Sequence, residues 1–211
     1  MIIRDVESFF TEVDSRIDFP LRVILTGGAA GILYGMERAT FDIDFEAEII
    51  VKEGNKGSWD DLQKALEEVS AVTRITPQYA DDIDRWSSIA LPSKNSSFYK
   101  KIGKIEIRIL EPSLWAIGKL TRYLSSDVED LATVLKYKTS DGKSCVRRWG
   151  EALAISPPSS AQAMFRRQVE RFLDDYAKII WGEKISAESL KKLFIESARL
   201  KSKGKKYKII Y

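Results

Sequence analysis

The 211-residue chain contains no histidine and a single cysteine, Cys145. Without imidazole there is no Ser-His-Asp or Cys-His pair, no HExxH zinc site and no histidine base poised near neutral pH. One thiol cannot form an intrachain disulfide, an all-thiolate zinc site or a CxxC redox pair, which fits a reducing compartment. No run approaches the roughly eighteen apolar residues that a membrane span needs. Asp5 and Glu7 stand where a signal peptide would carry cations and then an apolar stretch. The chain therefore reads as cytoplasmic and not membrane-bound. What survives these exclusions is hard-acid chemistry: carboxylates, hydroxyls, Lys, Arg, and metals that prefer oxygen.

A net charge of +3 conceals an uneven distribution. The last thirteen residues hold Arg199, Lys201, Lys203, Lys205, Lys206 and Lys208 and no acid, so the rest of the chain is slightly acidic. Such a tail can neutralise phosphates of a polyanion such as RNA, or it can be a solvated, frayed terminus. At 44% hydrophobic residues the chain can build a core, and its length suits one compact domain or two small ones.

Residues 5–16 place Val6, Phe9, Phe10 and Val13 at helical spacing. Leu21 to Thr26 is an apolar run of strand length that stops at Gly27-Gly28, and Ala29 to Gly35 suits a short helix ending in glycine. Beyond Arg38 and Thr40, the residues Phe41, Ile43, Phe45, Ala47 and Ile49 alternate with Asp42, Asp44, Glu46 and Glu48. That is a strand with one buried and one acidic face. A helix is expected over Ser58–Ser70, with Ser58 and Asp61 at its capped start, and weaker strands at Val72–Thr76 and Ser87–Leu91. Lys104–Leu110 alternates strictly, with Glu106 and Arg108 on the polar side. After Pro112 the period becomes helical: Pro112–Tyr123, a second helix capped by Asp127, then helices at Ala163–Ile180 and Ser186–Leu200 beyond a break at Pro157-Pro158. The expected class is α+β, a small mixed sheet with flanking helices over 1–111, followed by an all-helical region over 112–211 with the basic tail.

Asp42 and Asp44 leave the same face of a strand with Cα atoms roughly 7 Å apart. Two unit charges at that distance repel by about 2 kcal/mol at an effective dielectric near 20. A cation relieves this, and Mg²⁺ suits because it is held by one or two carboxylates together with substrate phosphates. Gly27 and Gly28 permit close backbone approach beside unpaired helix N–H groups that favour phosphate. Glu106, on the polar face of another strand, is the candidate third carboxylate of a two-metal site. Each motif alone has a plainer reading: a solvated polar face for D-x-D, a turn for Gly-Gly, a surface acid for Glu106.

Taken together, Thr26 to Phe45 resembles the glycine motif and hDhD strand of the DNA polymerase β-like nucleotidyltransferases. It is most similar to the small prokaryotic branch that includes abortive-infection toxins. Glu111 to Leu131 is similar to that branch's second block. The resemblance implies a nucleotidyltransferase core that moves a nucleoside monophosphate from an NTP to a hydroxyl, with Mg²⁺ or Mn²⁺ as cofactor. It implies metal-binding or catalytic roles for Asp42, Asp44 and Glu106, nucleotide contacts for Gly27, Gly28, Arg38, Thr40 and Lys119, and further roles for Asp127 and Asp130. The acceptor would be an RNA such as a tRNA 3′ end, or a protein, and a toxin or antitoxin partner is implied. The chain departs from the pattern at Ser126, where the family often has arginine. Lys119 could equally face solvent on its helix, and Asp127 could be a simple N-cap. The alternative is a non-catalytic module of the same fold that binds RNA or a protein partner. Among the downstream aromatics, Trp149, Phe165, Phe172, Tyr176 and Trp181 suit a core, whereas Arg147, Arg148, Arg166, Arg167 and Arg171 suit either a groove for a polyanion or a solvated face.

Overall fold

The computed structural model describes residues 1–36, 39–50, 57–82, 88–139 and 141–202, without the side chains of 200–202. Among them the chain forms eight helices and a five-stranded mixed sheet, an α+β fold. It divides into two compact units, Met1–Arg85 with Asn95–Glu111, and Trp86–Lys94 with Pro112–Tyr211.

The first unit begins with α1 (Ile3–Asp14), whose Val6, Phe9, Phe10 and Val13 are buried along one stripe. There follow β1 (Leu21–Leu25), α2 (Gly27–Leu33), β2 (Asp42–Ile49), α3 (Trp59–Thr73), β3 (Thr76–Ala80), β4 (Ser96–Ile102) and β5 (Ile105–Leu110). The sheet order is β3-β2-β1-β5-β4. β1 lies antiparallel to β2 and parallel to β5, with β2–β3 parallel and β4–β5 antiparallel. The two-residue period sends Val23, Leu25, Ile43, Phe45, Ile107 and their equivalents to one buried face. Phe10 meets Phe45 edge-on there, with centroids 5.5 Å apart. Each such side chain withdrawn from water contributes about 1.5–3 kcal/mol. The opposite face carries Arg22, Asp42, Asp44, Glu46, Glu48, Glu106 and Arg108, so the same alternation that builds the core lines up the charged groups.

Several local expectations are corrected. Val72–Thr73 belongs to α3, which closes at Arg74 in the left-handed region (φ 60°), and the strand starts only at Thr76. Of the expected strand Ser87–Leu91, Ser87 lies outside the described residues. Residues 88–91 form no ladder: Ile89 is buried and the Ala90 N–H donates to Ser156 Oγ at 2.9 Å. Phe41 is 84% exposed because β2 begins one residue later, and Glu46 on the polar face is nonetheless buried. β4 was not expected; a bulge between Phe98 and Lys100 breaks the alternation by which it would be read.

The second unit is helical: α4 (Pro112–Arg122), α5 (Ser125–Lys138), α6 (Gly142–Ile155), α7 (Ser160–Trp181) and α8 (Ala187–Ser202). Trp149, Phe165, Phe172 and Phe194 are fully buried, and the Trp149 indole N–H donates to the Ser113 carbonyl at 2.8 Å. α6 and α8 cross closely at Gly150, where a Cβ would stand 2.5 Å from the Phe194 carbonyl oxygen. No helix of the described residues is long and apolar enough to cross a membrane.

Candidate metal and nucleotide site

The polar face of the first unit gathers its groups at the end of β1. The Thr26 N–H donates to the Asp44 carbonyl at 2.9 Å, which extends the β1–β2 ladder by one rung and brings the glycine turn beside the acidic strand. Gly27 has φ +52°, a left-handed conformation that L side chains rarely adopt, and the Asp44 carboxylate packs directly onto it. A Cβ at position 27 would stand 1.8 Å from Asp44 Oδ2. The Gly28 N–H donates to that same oxygen at 3.3 Å. A Cβ at Gly28 would in turn fall 2.6 Å from Thr40 Oγ1, whose hydroxyl donates to Asp42 Oδ1.

Gln78 completes this cluster. It pairs with Asp44 in the β2–β3 register, and its Nε2 donates to Asp42 Oδ2 at 3.1 Å. The sequence carries no sign of this, since its pattern places a strand at Val72–Thr76, ahead of the observed β3. Both Asp42 oxygens thus accept from neutral donors, which orient the carboxylate without cancelling its charge. Arg38 lies outside the described residues.

Glu106 does not join them. Arg22 on β1 pairs with Glu48 on one side and Glu106 on the other, so Glu106 stands level with Glu48, four residues along β2 from Asp44. At the rise of a strand this is about 13 Å along the sheet. Its Oε1 accepts from Arg22 Nε and Arg108 Nη1, both at 3.2 Å. The Arg108 hydrogen bond, helped by Arg22 and opposed by burial, holds the Glu106 carboxyl below its usual range. One rung nearer the aspartates, β5 presents Arg108, level with Glu46 across Ile24. The charged side chain of β5 closest in register to the pair is therefore a guanidinium held by Ser96 and Glu106, and the expected three-carboxylate arrangement is not formed. Among the described residues no group of three or more His, Cys, Asp or Glu could hold a metal ion. Asp42 and Asp44 fit the chemistry of Mg²⁺, which is held by one or two carboxylates together with phosphates and water, and their hydrogen-bonded donors would fix the orientation of such ligands.

Lys119, Asp127 and Asp130 form a cluster within the second unit. Lys119 does not face solvent: it is 4% exposed, and its Nζ donates to Asp127 Oδ1 at 3.1 Å and Asp130 Oδ2 at 2.8 Å. Asp127 is not the N-cap either. It is the third residue of α5 and reaches back to accept from the Leu124 N–H at 3.2 Å, while Arg122 clamps it through Nε and Nη2 at 2.7 and 2.6 Å. Burial pushes the Asp127 carboxyl up, but the hydrogen bonds from Arg122 and Lys119 outweigh it and hold the group below the usual carboxylate range. The proximity of 119 to 127 arises because α4 and α5 turn back on each other between Arg122 and Ser125, which neither helical period announces.

Comparison with family models, with curated proteins and with solved structures gives no match for this chain.

Proposed function

We propose that the chain is a metal-dependent nucleotidyltransferase that moves a nucleoside monophosphate from an NTP to a hydroxyl of RNA or protein, within a toxin–antitoxin system. The observation that carries this reading is the interlocked turn: Gly27 and Gly28 are packed so closely against Asp44 and Thr40 that neither position admits a side chain without displacement. A backbone turn fitted onto a carboxylate pair suits a ligand that is both metal-bound and phosphorylated. Asp42 and Asp44 would hold the ion, and Gly27, Gly28 and Thr40 would surround the phosphates. When bound, Mg²⁺ or Mn²⁺ supplies charge neutralisation and polarises the reacting oxygens, for which no imidazole is needed.

The register of Glu106 favours a second reading, in which the same fold binds nucleotide, RNA or a partner without transferring anything. One experiment separates the two. The protein is incubated with each labelled NTP, Mg²⁺ or Mn²⁺, and total RNA or protein, while thermal unfolding is followed with and without MgATP. Ligand at a hundred times its dissociation constant stabilises the native state by about 2.7 kcal/mol. Stabilisation with label transfer supports the enzyme, and stabilisation without transfer from any of the four nucleotides supports the binding module. The absence of both sinks both readings.

A further inference from the structure

The second unit holds a group that the metal site does not use. Tyr123, the residue after α4, has φ 54°, a region that is costly for any residue with a Cβ. Its N–H donates to the Lys119 carbonyl at 2.8 Å, so the turn that fixes Lys119 also fixes this ring. The Arg171 guanidinium of α7 lies over the ring, 5.9 Å from its centroid. The Arg171 side chain is 73% exposed, so the guanidinium has an outer surface open to solvent, and its carboxylate neighbour Asp175 is 3.7 Å away. Arg167, one turn earlier on α7, is exposed and has no ion-pair partner among the described residues. Arg122, clamped to Asp127, is still 58% exposed. Met164 and Leu124, on the same stretches of chain, are 48% and 54% exposed.

We propose that this surface, with Arg171 in cation–π contact with Tyr123 and with Arg167 and Arg122 nearby, is a docking site for single-stranded nucleic acid. The guanidiniums are complementary to a phosphate backbone, whose contacts dominate such affinity. The planar Arg171, backed by an aromatic ring, offers a base the kind of stacking platform that single-strand binders use. Arg171 is the contacting residue and Tyr123 a positioning residue. The assignment names the acceptor of the transfer reaction and rests on that reading for its purpose, but the binding can be tested separately.

The test is fluorescence polarisation with labelled oligouridylate and oligothymidylate over a salt series. Both strands are expected to bind, and preference for the ribo-oligomer would identify RNA over DNA as the source of the same backbone and bases. Arg167→Gln with Arg171→Gln should weaken binding about 5- to 100-fold and reduce the salt slope by about 1.4, from roughly 0.7 per phosphate contact on a single strand. Tyr123→Gly should cost about 2- to 5-fold, the range of an exposed cation–π contact, with Tyr123→Phe close to wild type. Glycine accepts positive φ, so this variant keeps the turn. Asp42→Asn with Asp44→Asn should abolish transfer yet leave oligonucleotide binding intact, which keeps the two proposals separable. Binding of neither oligonucleotide overturns the site, as does an unchanged salt slope in the arginine double variant. Label transfer to protein in a preparation that binds neither strand would overturn the site while the transferase reading stands.

Discussion

The chain builds two acidic pairs and treats them in opposite ways. Asp42 and Asp44 sit on the polar face of β2, where Asp42 accepts from a threonine hydroxyl and a glutamine amide and Asp44 accepts a glycine amide. Asp127 and Asp130 are buried against Lys119, with Arg122 added. Neutral donors hold a carboxylate in place and leave its charge to attract a cation, whereas internal cations satisfy it and leave little demand for another. Asp42 is held by a threonine hydroxyl and a glutamine amide, and the first pair is the one proposed above to hold a metal ion. The second is a structural charge cluster that joins α4 to α5.

That contrast can be broken at either end. The largest effect is expected from Asp42→Asn with Asp44→Asn: transfer should fall by at least about a thousandfold, several kcal/mol of transition-state stabilisation, with no loss of folding stability because like charges have been removed. Single-turnover assays and urea unfolding on the same sample check both halves, and a stability loss comparable with the activity loss would erase the distinction. Next in size is Lys119→Met, which leaves two buried carboxylates without their shared cation and should cost about 3–5 kcal/mol in denaturant unfolding. A loss under about 1 kcal/mol would show that the second pair is not held as described.

Gly27→Ala should cost about 1–2 kcal/mol for the left-handed backbone, and more if Asp44 cannot move away from the new Cβ. Restoring glycine conformation without the side chain is impossible here, so the informative readout is whether Mg²⁺-dependent stabilisation disappears along with the transition midpoint. A smaller, pH-resolved effect comes from Asp127. Its folded carboxyl titrates below the unfolded value of about 3.9, so its contribution is present above that pH and lost as pH falls through the lower folded value. Asp127→Asn should therefore flatten the acid limb of the stability curve below about pH 4, and an unchanged acid limb would contradict the assigned direction. Smallest of all, Glu106→Gln should change stability by less than about 1 kcal/mol and leave transfer intact. Abolished transfer in a folded Glu106→Gln protein would restore Glu106 to the site.

The sequence revealed the faces of the sheet more clearly than the levels along it. Ile43, Phe45 and Ala47 are buried, and Asp42 and Asp44 share the other side, because a period of two is a local property of the chain. Whether Glu106 lies beside Asp44 or four residues away depends on how β1 registers with β5, a non-local fact carried by the Arg22↔Glu106 pairing. Gln78 was hidden for a related reason: α3 extends to Thr73, which moves β3 down the chain and a glutamine into line with Asp44. In the helical unit, amphipathic spacing located the helices near Ser160–Trp181 and Ala187–Ser202 to within a few residues. The burial of Lys119 was not legible, since a lysine eight residues before an aspartate reads as solvated unless the turn between them is known.

The short excursion of residues 86–94 into the helical unit bears on how the protein can be divided. A single cut after Glu111 matches the change from alternation to helical period, but it does not part the two units cleanly. A fragment ending at Glu111 would carry Ile89 away from its burial and leave Ser156 Oγ without the Ala90 amide. The complementary fragment would lack part of its own core. Expression as 1–111 and 112–211 should therefore yield two poorly soluble pieces that recover only when mixed. A helical fragment to which residues 86–94 are grafted through a short linker should stand alone better than one without them.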